Sequence, residues 1–243
     1  MAHGTPDDYN IVRDYWATVV YDDAELAVRL GAPNSLDRTG TVVWFTDFSD
    51  GLGVILLQGS GTGYGSWLVN QPSLSGGVAL ELQPGNTASD TAQVVITHRL
   101  HPSASVGFEF AVNCRGADCI LYFEVWHYDG TNRSQYSLYI LSASGQIAVM
   151  DSDGNYYLVG TANKLQTTWG DYHRIKLVLN VGGGQYAYVI VDEHKFDLSS
   201  YKPYVVADST VAMTQWVLKV VANENNMDSV FADEIIITCN EEV

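Results

Sequence analysis

Positive charge is scarce in this sequence: 12 Lys and Arg stand against 28 Asp and Glu, a formal charge of −16. Such a chain repels phosphate backbones and anionic lipid surfaces, which excludes nucleic acid and membrane surfaces as partners. Long apolar runs are also missing. No window reaches the roughly 18 residues a membrane-spanning helix needs. The start, MAHGTPDDYN, lacks a basic segment followed by an apolar one, so no secretory signal is visible and the expectation is synthesis in a cytoplasm, the alternative being a mature extracellular form whose signal was replaced. Cysteine is limited to three residues, an odd number that argues against an extracellular disulfide framework. Cys114 and Cys119 are near enough to staple a loop, so a bridge between them stays open beside the reduced alternative. Their spacing does not suit zinc, and no pair of histidines completes four ligands. Nucleophile-elbow and phosphate-loop motifs are absent.

What is present favours strands. The chain of 243 residues is 47% hydrophobic, with 15 Tyr, 6 Trp and 22 Gly. Aromatic and β-branched residues suit a pleated surface, and glycine supplies the turns between. This length is enough for one large β domain with a core needing neither disulfide nor metal. Residues 1–40 differ from the body. In YDDAELAVRLG, Asp22 or Asp23 can cap a short helix, Ala24, Ala27 and Val28 give it an apolar stripe, and Gly31 ends it. Before it, Tyr9, Ile11, Val12, Tyr15 and Trp16 form an apolar arm suited to docking on the body or on a neighbour. The division expected is therefore an arm with one short helix over 1–40 and a β domain over 41–243.

From Thr41 onward, twelve or thirteen strands alternate with Gly, Asn, Asp and Ser turns, the spacing of an antiparallel sandwich. Val106, Phe108, Phe110 and Val112 share one face of a strand expected to be half-buried. Ile120 to Tyr128 (ILYFEVWHY) is apolar on both faces, so it belongs centrally in a sheet, with both sides covered or one lining a groove. Within and after it, Trp126, His127, Tyr128, Asp129, Asn132 and Arg133 are the best candidates for a sugar site, because pyranose rings stack on aromatic faces while polar neighbours fix the hydroxyls. Against this, alternation puts Trp126 and Tyr128 on the face of Ile120 and Tyr122, which favours a core role. Trp67, in GSGTGYGSW, is a second sugar candidate that could equally plug one end of the sandwich. Asp151, Asp153 and Asn155 mimic the start of a Ca²⁺ loop, but Ala162 stands where the twelfth-position acid belongs, and a hairpin turn accounts for the segment.

The succession WFTDFSDG, SGGVALELQPG, VGFEFAV, WGDYHRIKLVLN, QYAYVIVDEHKFDLS and FADEIIITCNE resembles the concanavalin A-like lectin/glucanase superfamily over about residues 42–240, with Trp169, His173, Arg174 and Lys176 ahead of a hairpin. The resemblance implies an all-β jelly roll of two antiparallel sheets. It also implies a structural Ca²⁺ held between the first and last strands by Asp47 and Asp233; no other cofactor is expected. Glucanases of that superfamily carry Glu-x-Asp-x-x-Glu on one strand, and this chain has no such match: Glu124 with Asp129 is wrongly spaced and lacks a third acid. A narrower resemblance is to the non-catalytic jelly rolls of bacteriophage and viral structural proteins. The function expected is thus a virion component, such as a capsid decoration or tail-associated protein, contacting other virion proteins or copies of itself at the particle surface. The alternative is a carbohydrate-binding, lectin-like module that could serve adhesion, with a glycan-active enzyme third.

Overall fold

A computed structural model describes residues 40–70, 72–74, 77–98, 105–115, 118–165, 171–223 and 229–243. The expected arm with Tyr9, Ile11, Val12, Tyr15 and Trp16, the short helix and Trp169 lie outside the described residues. Sixteen strands occur among those described: β1 Thr41–Thr46, β2 Leu56–Gly59, β3 Gly65–Val69, β4 Ala79–Gln83, β5 Thr91–His98, β6 Val106–Asn113, β7 Cys119–Tyr128, β8 Asn132–Leu141, β9 Gln146–Met150, β10 Tyr156–Thr161, β11 His173–Asn180, β12 Gln185–Val191, β13 His194–Asp197, β14 Tyr204–Ala207, β15 Met213–Ala222 and β16 Val230–Cys239. The sequence signals thirteen of them. The others, β2, β13 and β14, have four residues each, too few to show a period.

The strands form two eight-stranded antiparallel sheets. The first runs β13-β12-β11-β6-β16-β4-β3, with β1 also on β16; the second runs β10-β9-β8-β7-β15-β5-β2, with β14 also on β8. One edge of β16 serves two partners, β4 at Val230–Ala232 and β1 at Ile235–Cys239. A bulge at the handover leaves Glu234 with φ of 49°, a left-handed conformation that costs a non-glycine residue about 1 kcal/mol.

The inward faces of both sheets build one core. Val106, Phe108, Phe110 and Val112 of β6 face Leu121, Phe123 and Val125 of β7, and Trp216, Leu218 and Val220 of β15 extend the layer. Phe110 and Phe123 stack across the two sheets with centroids 4.3 Å apart. Each such ring contributes about 2–3 kcal/mol through burial. The inward side of β6 is as the alternation predicts, but the strand is buried on both sides rather than half-buried. Its other side carries Glu109, and Glu241, after the last strand, packs against Gly107.

A polar staple crosses the core. Where β14 and β9 part along the edge of β8, Tyr186 of β12 reaches over from the first sheet. Its phenol accepts a hydrogen bond from Ser137 N (2.7 Å) and donates to Met150 O (2.8 Å). Two backbone groups that the divided edge would otherwise leave bare are thereby satisfied. Burial raises the Tyr186 pKa well above that of an ordinary phenol, so it stays protonated and able to donate.

Candidate functional site

The outward face of the second sheet is set by β7. Because Leu121, Phe123 and Val125 point into the core, Ile120, Tyr122, Glu124, Trp126 and Tyr128 point out. This corrects the core role favoured for Trp126, which is partly exposed, whereas Tyr128 points the same way but stays buried at 5% exposure. Alternation grouped them properly with Ile120 and Tyr122, but that group faces outward. Register then fixes their neighbours: Tyr122 lies between Lys219 and Tyr139, Glu124 between Val217 and Ser137, Trp126 between Gln215 and Gln135, and Tyr128 beside Arg133.

Glu124 organises the centre of this face. It is buried, receives Lys219 Nζ at 2.6 Å on one oxygen, and accepts the Trp126 indole N–H at 2.9 Å on the other. The Lys219 ammonium also lies 4.5 Å from the Tyr122 ring centroid, and Arg133 sits over the Trp126 ring at 5.4 Å. Lys219 is therefore held by an aromatic face as well as by charge, and Arg133 by an aromatic face. Tyr122, Tyr139 and Tyr156 cluster with centroids 5.0–6.0 Å apart. Tyr156 OH is 2.7 Å from Ser137 Oγ, and burial raises the pKa of Tyr122 and Tyr156, keeping both hydroxyls protonated. Farther out, Gln215 receives Tyr128 OH at 3.4 Å and donates to Thr97 (3.3 Å), while Gln93 donates to Gln58 (2.7 Å). The result is a row of half-exposed rings among amides and hydroxyls. Glu124 is the only Asp or Glu in the eight strands of this sheet.

Of the residues expected at a sugar site, Trp126, Tyr128 and Arg133 come together on this face. His127 does not: it points to the inner side, where its Nδ1 lies 3.1 Å from Thr214 Oγ1, and burial lowers its pKa. Asp129 closes the β7–β8 turn by accepting the backbone N–H groups of Thr131 (2.7 Å) and Asn132 (2.6 Å), so Asp129 and Asn132 shape the loop. Trp67 is on the other sheet, on the outer face of edge strand β3, and does not plug an end of the sandwich. Sequence reasoning weighed Glu124 only as a catalytic acid and missed Lys219, Gln215 and the tyrosine cluster. A lone acid in an otherwise aromatic strand was the available signal.

The cation-site residues are occupied otherwise. Asp153 accepts Asn155 N and Nδ2 and Tyr157 OH, and Asp151 accepts Lys202 N, so these oxygens tie the β9–β10 turn together. Asp47 accepts Ser49 N and Oγ, while Asp233 accepts Ser73 Oγ, Leu74 N and Glu234 N. Among the described residues no group of three or more His, Cys, Asp or Glu is arranged to hold a metal ion. These donor sets do not fit the six to eight converging oxygens that Ca²⁺ takes. Cys114 and Cys119 lie together in the core as free thiols in this structure.

No family model matches the chain, and neither does any curated protein. Among solved structures it is similar to a carbohydrate esterase from the Shiga toxin-encoding bacteriophage phi24B, with a TM-score of 0.49 and 14% identity over 83% of this chain and 100% of that one. It is similar to peanut lectin at TM-score 0.49 and 11% identity, covering 80% and 95% of the two chains. A third is the CBM2 module of the evolved Dit of a Lactobacillus casei phage, J-1, at TM-score 0.46 and 11% identity over 86% and 100%. The likeness is one of fold. The expectation of a two-sheet antiparallel β-sandwich is met by the strands themselves, and function is left to the residues.

Proposed function

We propose that the outer face of the second sheet binds an uncharged glycan. The observation that carries this reading is the row of half-exposed rings from Trp126 to Tyr156, set among amides and hydroxyls on a sheet with a single, ion-paired carboxylate. Pyranose C–H faces stack on such rings, and Gln215, Gln135 and the tyrosine hydroxyls offer both donors and acceptors to sugar hydroxyls. The overall charge of −16 disfavours anionic sugars, so neutral glycans are favoured. The chemistry supported is recognition rather than cleavage, since a second carboxylate across from Glu124 is what retaining or inverting hydrolysis would require.

A neutral-glycan array tests this, followed by titration of the best ligand against Trp126→Ala. Binding should weaken at least about tenfold, while the melting temperature moves by only a few degrees, because the side chain lies outside the core. Undiminished binding by the variant would refute the assignment, and a collapse in melting temperature would return Trp126 to a structural role.

A place on a virus particle, suggested by the arm and by the resemblance to phage jelly rolls, is compatible with this face acting as an adhesive surface. Under that reading, removing residues 1–19 leaves a folded sandwich that no longer joins its assembly. Normal incorporation of the truncated chain would argue against it.

A further inference from the structure

We infer that Trp67 and Glu81, on the outer face of the first sheet, form a second glycan-binding platform independent of the one on the second sheet. Trp67 lies on the edge strand β3, directly paired with Glu81 of β4. Leu68, Leu80 and Leu82 turn inward to the core, so Trp67 and Glu81 turn outward. The indole is held from two directions. Its Nε1 donates to Glu81 Oε2 at 2.8 Å, and its ring lies against Gly65, where an added Cβ would sit 1.8 Å from Cζ3. Only glycine at 65 lets the ring rest on the strand backbone. Even so, Trp67 remains 42% exposed.

A large aromatic ring fixed in place and still open to solvent has already lost the rotamer freedom that binding would otherwise remove. Glu81 uses Oε2 on the indole, leaving Oε1 beside the ring as an acceptor for a hydroxyl. Ring face plus adjacent hydroxyl acceptor is the chemistry that holds a pyranose. The same edge carries a second held ring: Tyr64, 49% exposed, covers Gly59, where an added Cβ would come within 2.3 Å of its Cδ2. A purely structural account is that both rings shield edge glycines. That account explains the glycines but gives no part to the Glu81 bond, and it makes a different prediction.

Because Trp67 and Trp126 are on opposite sheets, two glycan chains can be held at once, and the domain should cross-link polysaccharide. The probes are cellulose, chitin, mannan and an insoluble β-1,3-glucan in pull-downs, with the turbidity of a soluble β-glucan or mannan reporting cross-linking. Wild type should bind at least one of these and raise turbidity. Trp67→Ala should lose the turbidity and, with only the second-sheet platform left, be retained less in the pull-downs, with Trp67→Tyr intermediate. Should Trp67→Ala fail to fold, Glu81→Ala, which removes the indole's acceptor and loosens the ring without removing it, is expected to reduce cross-linking in the same direction. The inference is overturned if wild type binds none of the probes, or if the folded variants bind and cross-link as wild type does. Sensitivity to Trp126→Ala with indifference to Trp67→Ala would remove this platform and leave the first; the reverse pattern would keep this one and remove the other.

Discussion

Replacing Glu109 by Gln should stabilise the protein in mildly alkaline solution and do almost nothing in acid. Glu109 lies on the outer side of β6, directly paired with Lys176, and its Oε1 is buried without a hydrogen-bond partner. Burial raises its pKa from the ordinary 4.5 to about 7, against the opposing pull of Lys176 and Arg174. Both cations are already committed, Lys176 to Glu241 at 3.0 Å and Arg174 to Glu234 at 3.0 Å. With its folded pKa above the unfolded one, Glu109 favours the folded state fully below pH 4.5, and that contribution is lost as pH rises through about 7. A gap of about 2.5 pH units at about 1.4 kcal/mol per unit gives an upper bound of roughly 3.5 kcal/mol. Glu234, raised to about 7 by burial and set beside Asp233 and Asp47, titrates in the same window and shares the same cations, so the net effect should be smaller. Glutamine keeps the shape and cannot ionise. Urea unfolding of both proteins at pH 4.5, 6 and 8 should show the variant level with wild type at the lowest pH and about 1–3 kcal/mol more stable at the highest. Taking the difference cancels carboxylates such as Asp192, whose hydrogen bonds from His173 and Arg174 N hold its pKa low. A variant less stable at pH 8, or a difference that ignores pH, would refute the reasoning.

Two further outcomes follow from buried groups. Tyr186→Phe should cost about 2 kcal/mol in denaturant unfolding, because Ser137 N–H and Met150 C=O lose their shared partner in a region closed to water; a change under about 0.5 kcal/mol would show that other groups satisfy them. Cys114 and Cys119 are buried, and the pKa of Cys114 is raised by its hydrogen bond with Cys119 and by burial, so few thiolates are available. Thiol titration of the native protein at pH 8 should therefore find at most one readily reactive group, the partly exposed Cys239, and three after unfolding in urea. Prompt reaction of all three in the native state would contradict this packing.

The architecture was legible wherever one side of a strand differed from the other. Val106, Phe108, Phe110 and Val112 are separated by Gly107, Glu109 and Ala111, and the apolar set is the one that enters the core. The strand that builds the candidate site was harder for the same reason. In ILYFEVWHY both sides are apolar, so alternation showed which residues travel together without showing which set faces the core. That choice is settled by pairing: Lys219 and Gln215 of β15 flank Tyr122 and Trp126, and nothing in the β7 sequence specifies β15 as its neighbour. The burial of Glu109 was hidden in a similar way, since it depends on Lys176 and Arg174 of β11 and on Glu241 beyond the last strand. In the Ca²⁺-like DSDGN the turn reading was the legible one, since the same oxygens close a tight turn through hydrogen bonds from Asn155 and Tyr157.

Acidity looks at first like a property of the whole surface, but its distribution bears on which face can recognise a neutral ligand. The strands of the first sheet include Glu81, Glu109, Asp197, Asp233 and Glu234 together with Arg174, Lys176 and Lys195. On its outer side two of the ion pairs, Lys176–Glu241 and Arg174–Glu234, are buried and largely closed to water. The second sheet contributes one acid, and Lys219 neutralises it at 2.6 Å. A buried pair of this kind is weak evidence for stability, because desolvation offsets much of the attraction. Its clearer effect is geometric: Glu124 holds the Trp126 indole nitrogen while Lys219 lies against Tyr122, so both rings are oriented by one carboxylate. Trp67 and Glu81 repeat the pairing of an indole N–H with a carboxylate on a more exposed edge, without a lysine partner. If recognition is the task of these rings, the buried charge on the second sheet should matter more for ligand geometry than for folding, and the exposed one on the first should be the more tolerant of substitution.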